Sequence, residues 1–273
     1  MKKIKFYALS FSVITFMFLS LIGCNSSDDS TQTSRVSIRM TDAPGDYDEV
    51  NIDVRDVLIK SSADNDDSKG WVSIGNVTPM TYNLLDLTGG VNVLLADNLV
   101  PSGFLGQVRL LLGENNTVVK DGVTYSLKTP SAKQSGLKLQ INQTLLAGAS
   151  YDFLLDFDVH SSIVVQAGNS GNFNLHPVIR VSTAATSGVI KGTINPVLTG
   201  YQVLASVQVG DTVVSAYAND LGVFQLNGIP AGTYTVTLTP DIASGKAIKI
   251  IPGIVVENGK MTNIGDVSLD SIP

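Results

Sequence analysis

The chain reads as all-β, built as two tandem β-sandwich domains after a leader segment. Three observations point there. Short runs of alternating apolar and polar residues recur along the sequence with turn residues between them, as half-buried strands require. The acidic residues are almost all aspartate, a turn and strand-end residue: of 24 acidic residues only Glu49, Glu114 and Glu257 are glutamate, the residue that suits helix surfaces. The chain also carries 25 glycines with many Val, Ile and Thr.

The N-terminus is a leader. Lys2, Lys3 and Lys5 form a basic start, and an apolar run follows from Phe6 to Ile22, broken by Ser10, Ser12, Thr15 and Ser20. It ends in Leu21-Ile22-Gly23-Cys24, so residues 1–23 are predicted to be a secretory signal peptide. A transmembrane anchor is the competing reading, but the run is short and interrupted by hydroxyls. The Leu-Ile-Gly-Cys end resembles the lipobox of bacterial lipoproteins. The resemblance implies that the Cys24 sulfur takes a diacylglyceryl group and that the mature chain starts there, with further acylation such as palmitate. Cys24 is the single cysteine, so lipidation also accounts for an odd cysteine that forms no intramolecular disulfide. Residues 24–34 then form the lipidated cysteine and a polar, flexible tether. Its Ser-Ser-Asp-Asp resembles an acidic surface-export signal, with a plain solvated linker as the alternative. Asn25 is not an inner-membrane retention aspartate. The expected location is the outer membrane, lipid-anchored, on its periplasmic or surface-exposed face.

Charge narrows the partners. The signal holds three of the 18 basic residues and none of the acidic ones, which leaves the mature chain at a net −9. That argues against nucleic acid, which needs a basic patch. No Walker or Rossmann loop, His-Glu-x-x-His motif or Gly-x-Ser-x-Gly elbow occurs, so nucleotide, zinc and serine-hydrolase chemistry are poorly supported.

The strands begin at residue 35. Val36–Met40 alternates, as do Val50, Ile52 and Val54; the phase then flips to Val57 and Ile59, which predicts a β-bulge near Arg55-Asp56. Residues 61–70 form a polar loop leading into Trp71–Ile74, and Val118–Tyr125 is a hairpin turning on Asp121-Gly122. Tyr151, Phe153, Leu155, Phe157 and Val159 line one strand face, and Phe173, Leu175, Pro177, Ile179 and Val181 another. One short helix is expected near Leu84–Leu87 or Val93–Asp97. The Ser/Thr/Ala stretch 183–187 is read as a linker between domains 35–182 and 188–273, each large enough to close a core without disulfides.

Two resemblances follow. Met40-Thr-Asp-Ala-Pro-Gly-Asp-Tyr-Asp48, Gly70-Trp-Val72, Asn83-Leu-Leu-Asp-Leu87, Leu155-Asp-Phe-Asp158 and His176-Pro-Val-Ile-Arg180 occur in one order. Together they resemble a family of bacterial lipoprotein domains known only as a domain of unknown function. Gly188-Val-Ile-Lys-Gly192, Asn219-Asp-Leu-Gly-Val-Phe-Gln-Leu226 and Gly228-Ile-Pro-Ala-Gly-Thr-Tyr-Thr-Val236 resemble the carboxypeptidase regulatory-like modules. Those are transthyretin-like sandwiches with a carbohydrate-binding-like fold and no peptidase machinery. The resemblance implies a spacer or binding unit.

The candidate chemistry is sparse. Asp152, Asp156, Asp158 and His160 are predicted on one face of the 151–160 strand; Asp42, Asp46 and Asp48 lie in the Thr-Asp-Ala-Pro-Gly-Asp-Tyr-Asp loop. Asp42, Asp46, Asp156 and Asp158 are the weak metal candidates, for Ca²⁺ through oxygen ligands, against turn chemistry and a solvated strand face. No catalytic residue and no firm cofactor is assigned. The 64–75 stretch fails as an EF-hand loop, because its glycine falls at position seven and Gly75 stands where glutamate belongs. Trp71, Tyr47, Tyr82 and Tyr201 are candidates for stacking on sugar rings, against partial burial as core residues. The expected function is a non-enzymatic binding or structural lipoprotein, with a glycan or another surface protein as partner. The alternative is a hydrolase using the carboxylates of the 152–160 strand.

Overall fold

Inward side chains from β-strands, alternating with outward polar ones, build two hydrophobic cores in the computed structural model. The structure describes residues 32–43, 46–64, 66, 69–129, 136–165 and 171–272. The signal peptide, Cys24 and most of the tether lie outside the described residues. No helix among the described residues is long and apolar enough to cross a membrane.

The first core lies between two sheets. One runs in the order β13 (Ile179–Thr183), β10 (Ser150–Asp158), β1 (Thr33–Ala43), β5 (Val93–Pro101). The other runs β11 (Ile163–Val165), β12 (Phe173–Leu175), β8 (Val123–Lys128), β7 (Thr117–Lys120), β2 (Glu49–Lys60), β6 (Gly103–Leu112), β9 (Leu137–Leu145). Two short strands, β3 (Trp71–Ser73) and β4 (Met80–Asn83), also pair with β2. Val36, Ile38 and Met40 from β1 and Phe153, Leu155 and Phe157 from β10 meet Val50, Ile52 and Val54 from β2 in one apolar layer. β1 and β10 are parallel, β1 and β5 antiparallel.

The second core is smaller. A three-stranded sheet, β17 (Val223–Ile229), β14 (Gly188–Ile194), β20 (Met261–Val267), packs on a four-stranded one. The latter runs β16 (Thr212–Tyr217), β15 (Val203–Val209), β18 (Gly232–Pro240), β19 (Lys249–Val256). Phe224, Leu226, Val236 and Leu238 are fully buried between them. The architecture is all-β and sandwich-like.

Several local expectations hold. The β2–β6 ladder shifts register between Val54 and Asp56, the bulge that the phase flip required. Lys120 pairs with Val123 across a turn in which Asp121 and Gly122 have φ of 53° and 73°, as a two-residue hairpin demands. A 3-10 turn occupies Leu84–Leu87, capped by the Asn83 side chain accepting from the Leu85 amide.

Others are corrected. Val93–Asp97 is not helical but opens β5, because pairing with β1 overrides its weak helical pattern. Thr33 and Ser34, read as tether, already belong to β1; Ser34 is buried and its hydroxyl donates to the Leu146 carbonyl. The apolar run from Phe173 to Val181 is not one strand. Pro177, without an amide hydrogen, stands where the chain leaves β12 of one sheet and crosses to β13 of the other. β10 ends at Asp158, and His160 sits in a helical turn, Val159–Ser162, rather than on the strand.

Candidate functional site: the seam between the sandwiches and the tip of the second

The outer face of the β13-β10-β1-β5 sheet turns toward the second sandwich. Side chains alternate across a strand, so Val36, Ile38 and Met40 point into the core while Arg39 points out. On β10 the same rule sends Asp152 and Asp156 outward. The second sandwich meets part of this face, with β16 near β1 and β17 near β13, and leaves outward residues such as Arg35, Leu99 and Asp152 exposed.

The outward aspartates meet arginines. Asp152 accepts from Arg39 Nε at 3.1 Å. Asp156 stands opposite Arg180 in the β10–β13 ladder and accepts from its Nη2 at 2.5 Å. The same guanidinium donates to the Asn227 and Gly228 carbonyls of the second sandwich, at 2.6 and 2.9 Å. Asp156 is 11% exposed. Burial pushes its carboxyl above the ordinary aspartate value, against the opposing pull of Arg180. Glycines let the seam close. A Cβ on Gly90 would fall 2.4 Å from the Gln225 side chain, and one on Gly228 2.6 Å from Ser182. Tyr217 of β16 has its hydroxyl raised, first by burial and then by Asp46 and Asp241.

The metal candidates are thus dispersed. Asp42 is buried and shares the inward face with Met40, whereas Asp156 is on the opposite face of the same sheet. Asp158 caps the following helical turn, accepting from the Ser161 amide and hydroxyl, both at 2.8 Å. Asp46 is exposed, and Pro44 and Gly45, where a turn was expected, lie outside the described residues. Asp48 accepts from the Gly122 amide at 2.8 Å and so pins the 121–122 turn. His160 and His176 are exposed. Among the described residues no group of three or more His, Cys, Asp or Glu is placed to hold a metal.

The aromatic candidates separate as well. Arg109 stacks on Trp71, its Cζ 3.8 Å from the ring centroid, and Lys60 sits 5.7 Å away. Tyr47 packs edge-on against Phe173, and Tyr82 is half-buried against the first core. Tyr201 differs: it is 43% exposed and lines a pocket of about 370 Å³ at one tip of the second sandwich. The pocket lies between the β14–β15 loop and the β16–β17 turn, with Gln202, Asn219 and Asp220 in its wall. Asn219 shapes that turn, its Oδ1 accepting from the Leu221 and Val223 amides at 3.0 Å each.

Sequence reasoning missed Arg39, Arg180, Gln225 and Lys260, which line the seam. The one available signal was a cation on an outward strand position, at Arg39 and Arg180, matching the aspartates of β10.

The fold is that of an all-β protein of two sandwiches, with a pocket at the tip of the second. Residues 33–177, more than half of the chain, match the family described as a domain of unknown function, DUF4382, and the chain belongs to that family. No curated protein matches the chain. Among solved structures, the TIE protein of Bacillus anthracis is 13% identical over 87% of this chain, with a TM-score of 0.25. This chain spans 34% of the length of that protein. The minor pilin GBS52 of Streptococcus agalactiae is 9% identical over 87% of this chain and 96% of its own, with a TM-score of 0.26. The shaft pilin SpaA of Lactobacillus rhamnosus GG is 10% identical over 88% of this chain and 100% of its own, at 0.23. Likenesses this distant carry no argument about function.

Proposed function

We propose that the protein is a non-enzymatic binding lipoprotein, anchored at the outer membrane through Cys24, that binds carbohydrate at the tip of its second sandwich. The observation that carries this reading is the exposed Tyr201 ring in a pocket walled by Gln202, Asn219 and Asp220. A sugar ring has a C–H face and a rim of hydroxyls. An amphipathic tyrosine takes the face, and amide and carboxylate groups take the rim. The volume falls within the range of small-ligand sites, about 300–1,000 Å³. The resemblance of residues 188–273 to carboxypeptidase regulatory-like, carbohydrate-binding-like modules supports the same reading.

The hydrolase alternative is weakened by what its carboxylates do. Asp152 and Asp156 are paired with Arg39 and Arg180, and Asp158 caps a helical turn. A glycan array probed with the full chain, followed by product analysis of each hit, tests the proposal. Retained ligand without chain cleavage supports it; release of shortened sugars contradicts it. Fatty-acid labelling that is lost in Cys24→Ser checks the anchor.

A further inference from the structure

One end of the first sandwich is apolar, and it is the end at which the chain arrives from Cys24. The Gln32 carbonyl accepts there from the Ser102 amide, and Thr33 pairs with Pro101 and accepts from the Gly148 amide. The β5–β6 turn at Ser102 and the β9–β10 turn at residues 146–149 meet at this point, and the Ser34 hydroxyl ties the second of them to β1 through the Leu146 carbonyl. Leu146 is 64% exposed, Leu99 63% and Phe104 44%. Leu99 stands opposite Arg35 and Phe104 opposite Thr144, so the two flank this end on the outer faces of the two sheets, with Leu146 at the apex.

Single exposed apolar residues are ordinary. Here three share one end, and that end carries no charge of its own. No Asp, Glu, Lys, Arg or His occurs from Asn98 to Val108 or from Leu139 to Tyr151, in a chain of formal net charge −6. Behind it the polar surface resumes in ion pairs, Arg35 with Asp97 and Arg39 with Asp152 on one outer face and Lys60 with Asp64 on the other. The second sandwich meets the opposite half of β1, where β16 faces Asp156 and Asp158, the register partners of Thr41 and Ala43.

Chain length supplies the occupant. Cys24 precedes Gln32 by eight residues, a reach of at most about 29 Å at roughly 3.6 Å per residue. β1 then runs eleven residues away from this end, about 33 Å at roughly 3.3 Å per step. A lipid on Cys24 therefore keeps the apolar end close to the bilayer surface and holds the far end away from it.

We propose that this end rests on the membrane, with Leu146 inserted among the lipid headgroups and Leu99 and Phe104 at the boundary. The inference rests on the lipidation of Cys24 in the function proposed above. The apolar side chains gain by leaving water, and the uncharged turns bring no ionised group into the headgroup layer.

The test uses the full chain, lipidated at Cys24, in phosphatidylethanolamine–phosphatidylglycerol vesicles that contain phospholipid brominated on its acyl chains, a quencher of tryptophan at membrane depth. Trp71 is the sole natural tryptophan, so wild type sets the background. The added emission of Leu146→Trp is expected to be quenched. That of Ile242→Trp, at an 88% exposed apolar position of the second sandwich, is expected to persist. Tryptophan itself favours the interface, so Phe104→Trp is read with and without Leu146→Ser, which is expected to reduce its quenching. Unquenched Leu146→Trp emission on protein that carries the fatty-acid label overturns the proposal. So does equal quenching of Ile242→Trp, or quenching of Phe104→Trp that Leu146→Ser leaves unchanged. A wild type without the fatty-acid label overturns the anchor itself, and this inference with it.

Discussion

Asp156 and Arg180 face each other across neighbouring strands, and the arginine that neutralises the aspartate also grips two backbone carbonyls of the other sandwich. One guanidinium therefore joins the strand pair and the seam. Its planar fork suits the task, since it serves a carboxylate and two carbonyls at once.

Arg180→Ala should destabilise the full chain by about 2–4 kcal/mol in denaturant unfolding, because it leaves a buried carboxylate without its partner and two seam carbonyls without a donor. Arg180→Lys should recover only part of that loss, since an ammonium cannot span the same three acceptors.

The same pair gives a pH signature. Folding raises the Asp156 carboxyl above its ordinary value, mainly through burial. The folded state therefore holds that proton more tightly than the unfolded chain. The resulting stabilisation is fully present below the usual aspartate value and is lost as pH climbs through the raised one. Asp156→Asn stays uncharged throughout, so its melting temperature relative to wild type should be higher at neutral pH than near pH 4. Asp97 and Asp270, both lowered chiefly by side-chain hydrogen bonds from Arg35 and Lys249, favour the fold above acid pH and are common to both proteins. A constant difference across that range would show that Asp156 does not titrate with folding.

Gly106 permits the backbone at Ser62 and Ala63 to lie on the outer face of β6. A Cβ there would stand 2.2 Å from the Ser62 carbonyl oxygen, a backbone atom with no rotamer to escape through. Gln107, beside it, donates to the Ser62 and Asp64 carbonyls at 3.3 and 2.6 Å, and Lys60 donates to the Asp64 carboxylate at 2.6 Å. Gly106→Ala should cost about 1–3 kcal/mol by overpacking. It should also open the loop to proteolysis near Asp64. Gly122→Ala meets nothing within 4 Å and should cost roughly 1 kcal/mol for its left-handed backbone alone.

Ca²⁺ should leave the melting temperature where it is in EDTA. Asp42 and Asp156 project to opposite faces of one sheet, and Asp48 and Asp158 are engaged by the Gly122 amide and by Ser161. A ligand present at about 100 times its dissociation constant adds roughly 2.7 kcal/mol, which a melt would register as several degrees. Such a shift, removed by Asp156→Asn, would restore the metal reading.

What was legible in the sequence follows from period and turn chemistry. The bulge at Arg55, the Asp121-Gly122 hairpin and the buried faces of β1, β2 and β10 are local patterns, and they were readable. Phe173–Val181 misled because an alternating pattern does not say which sheet each part joins; Pro177 marks the crossing only in hindsight. His160 misled because the Asp158 cap, formed with Ser161, turns the chain into a helical turn where alternation alone continues the strand. The aspartate face of β10 was visible, but its purpose was not. Alternation tells which residues share a face, whereas the partners Arg39 and Arg180 come from distant strands and Asn227 from the other sandwich. Tyr201 was one aromatic among four until burial separated it from Trp71, Tyr47 and Tyr82.

On the proposed function, Tyr201 holds sugar and no bond of the sugar is broken. The most direct measurement is the affinity of the full chain and of Tyr201→Ala for the strongest neutral glycan on an array, by titration calorimetry. Wild type is expected to bind with no cleavage of the glycan, and the variant, folded with an unchanged melting temperature, to bind more weakly by about tenfold or more, as for a tyrosine at the centre of a binding site. Undiminished binding by Tyr201→Ala, or turnover of the glycan by wild type, would contradict it.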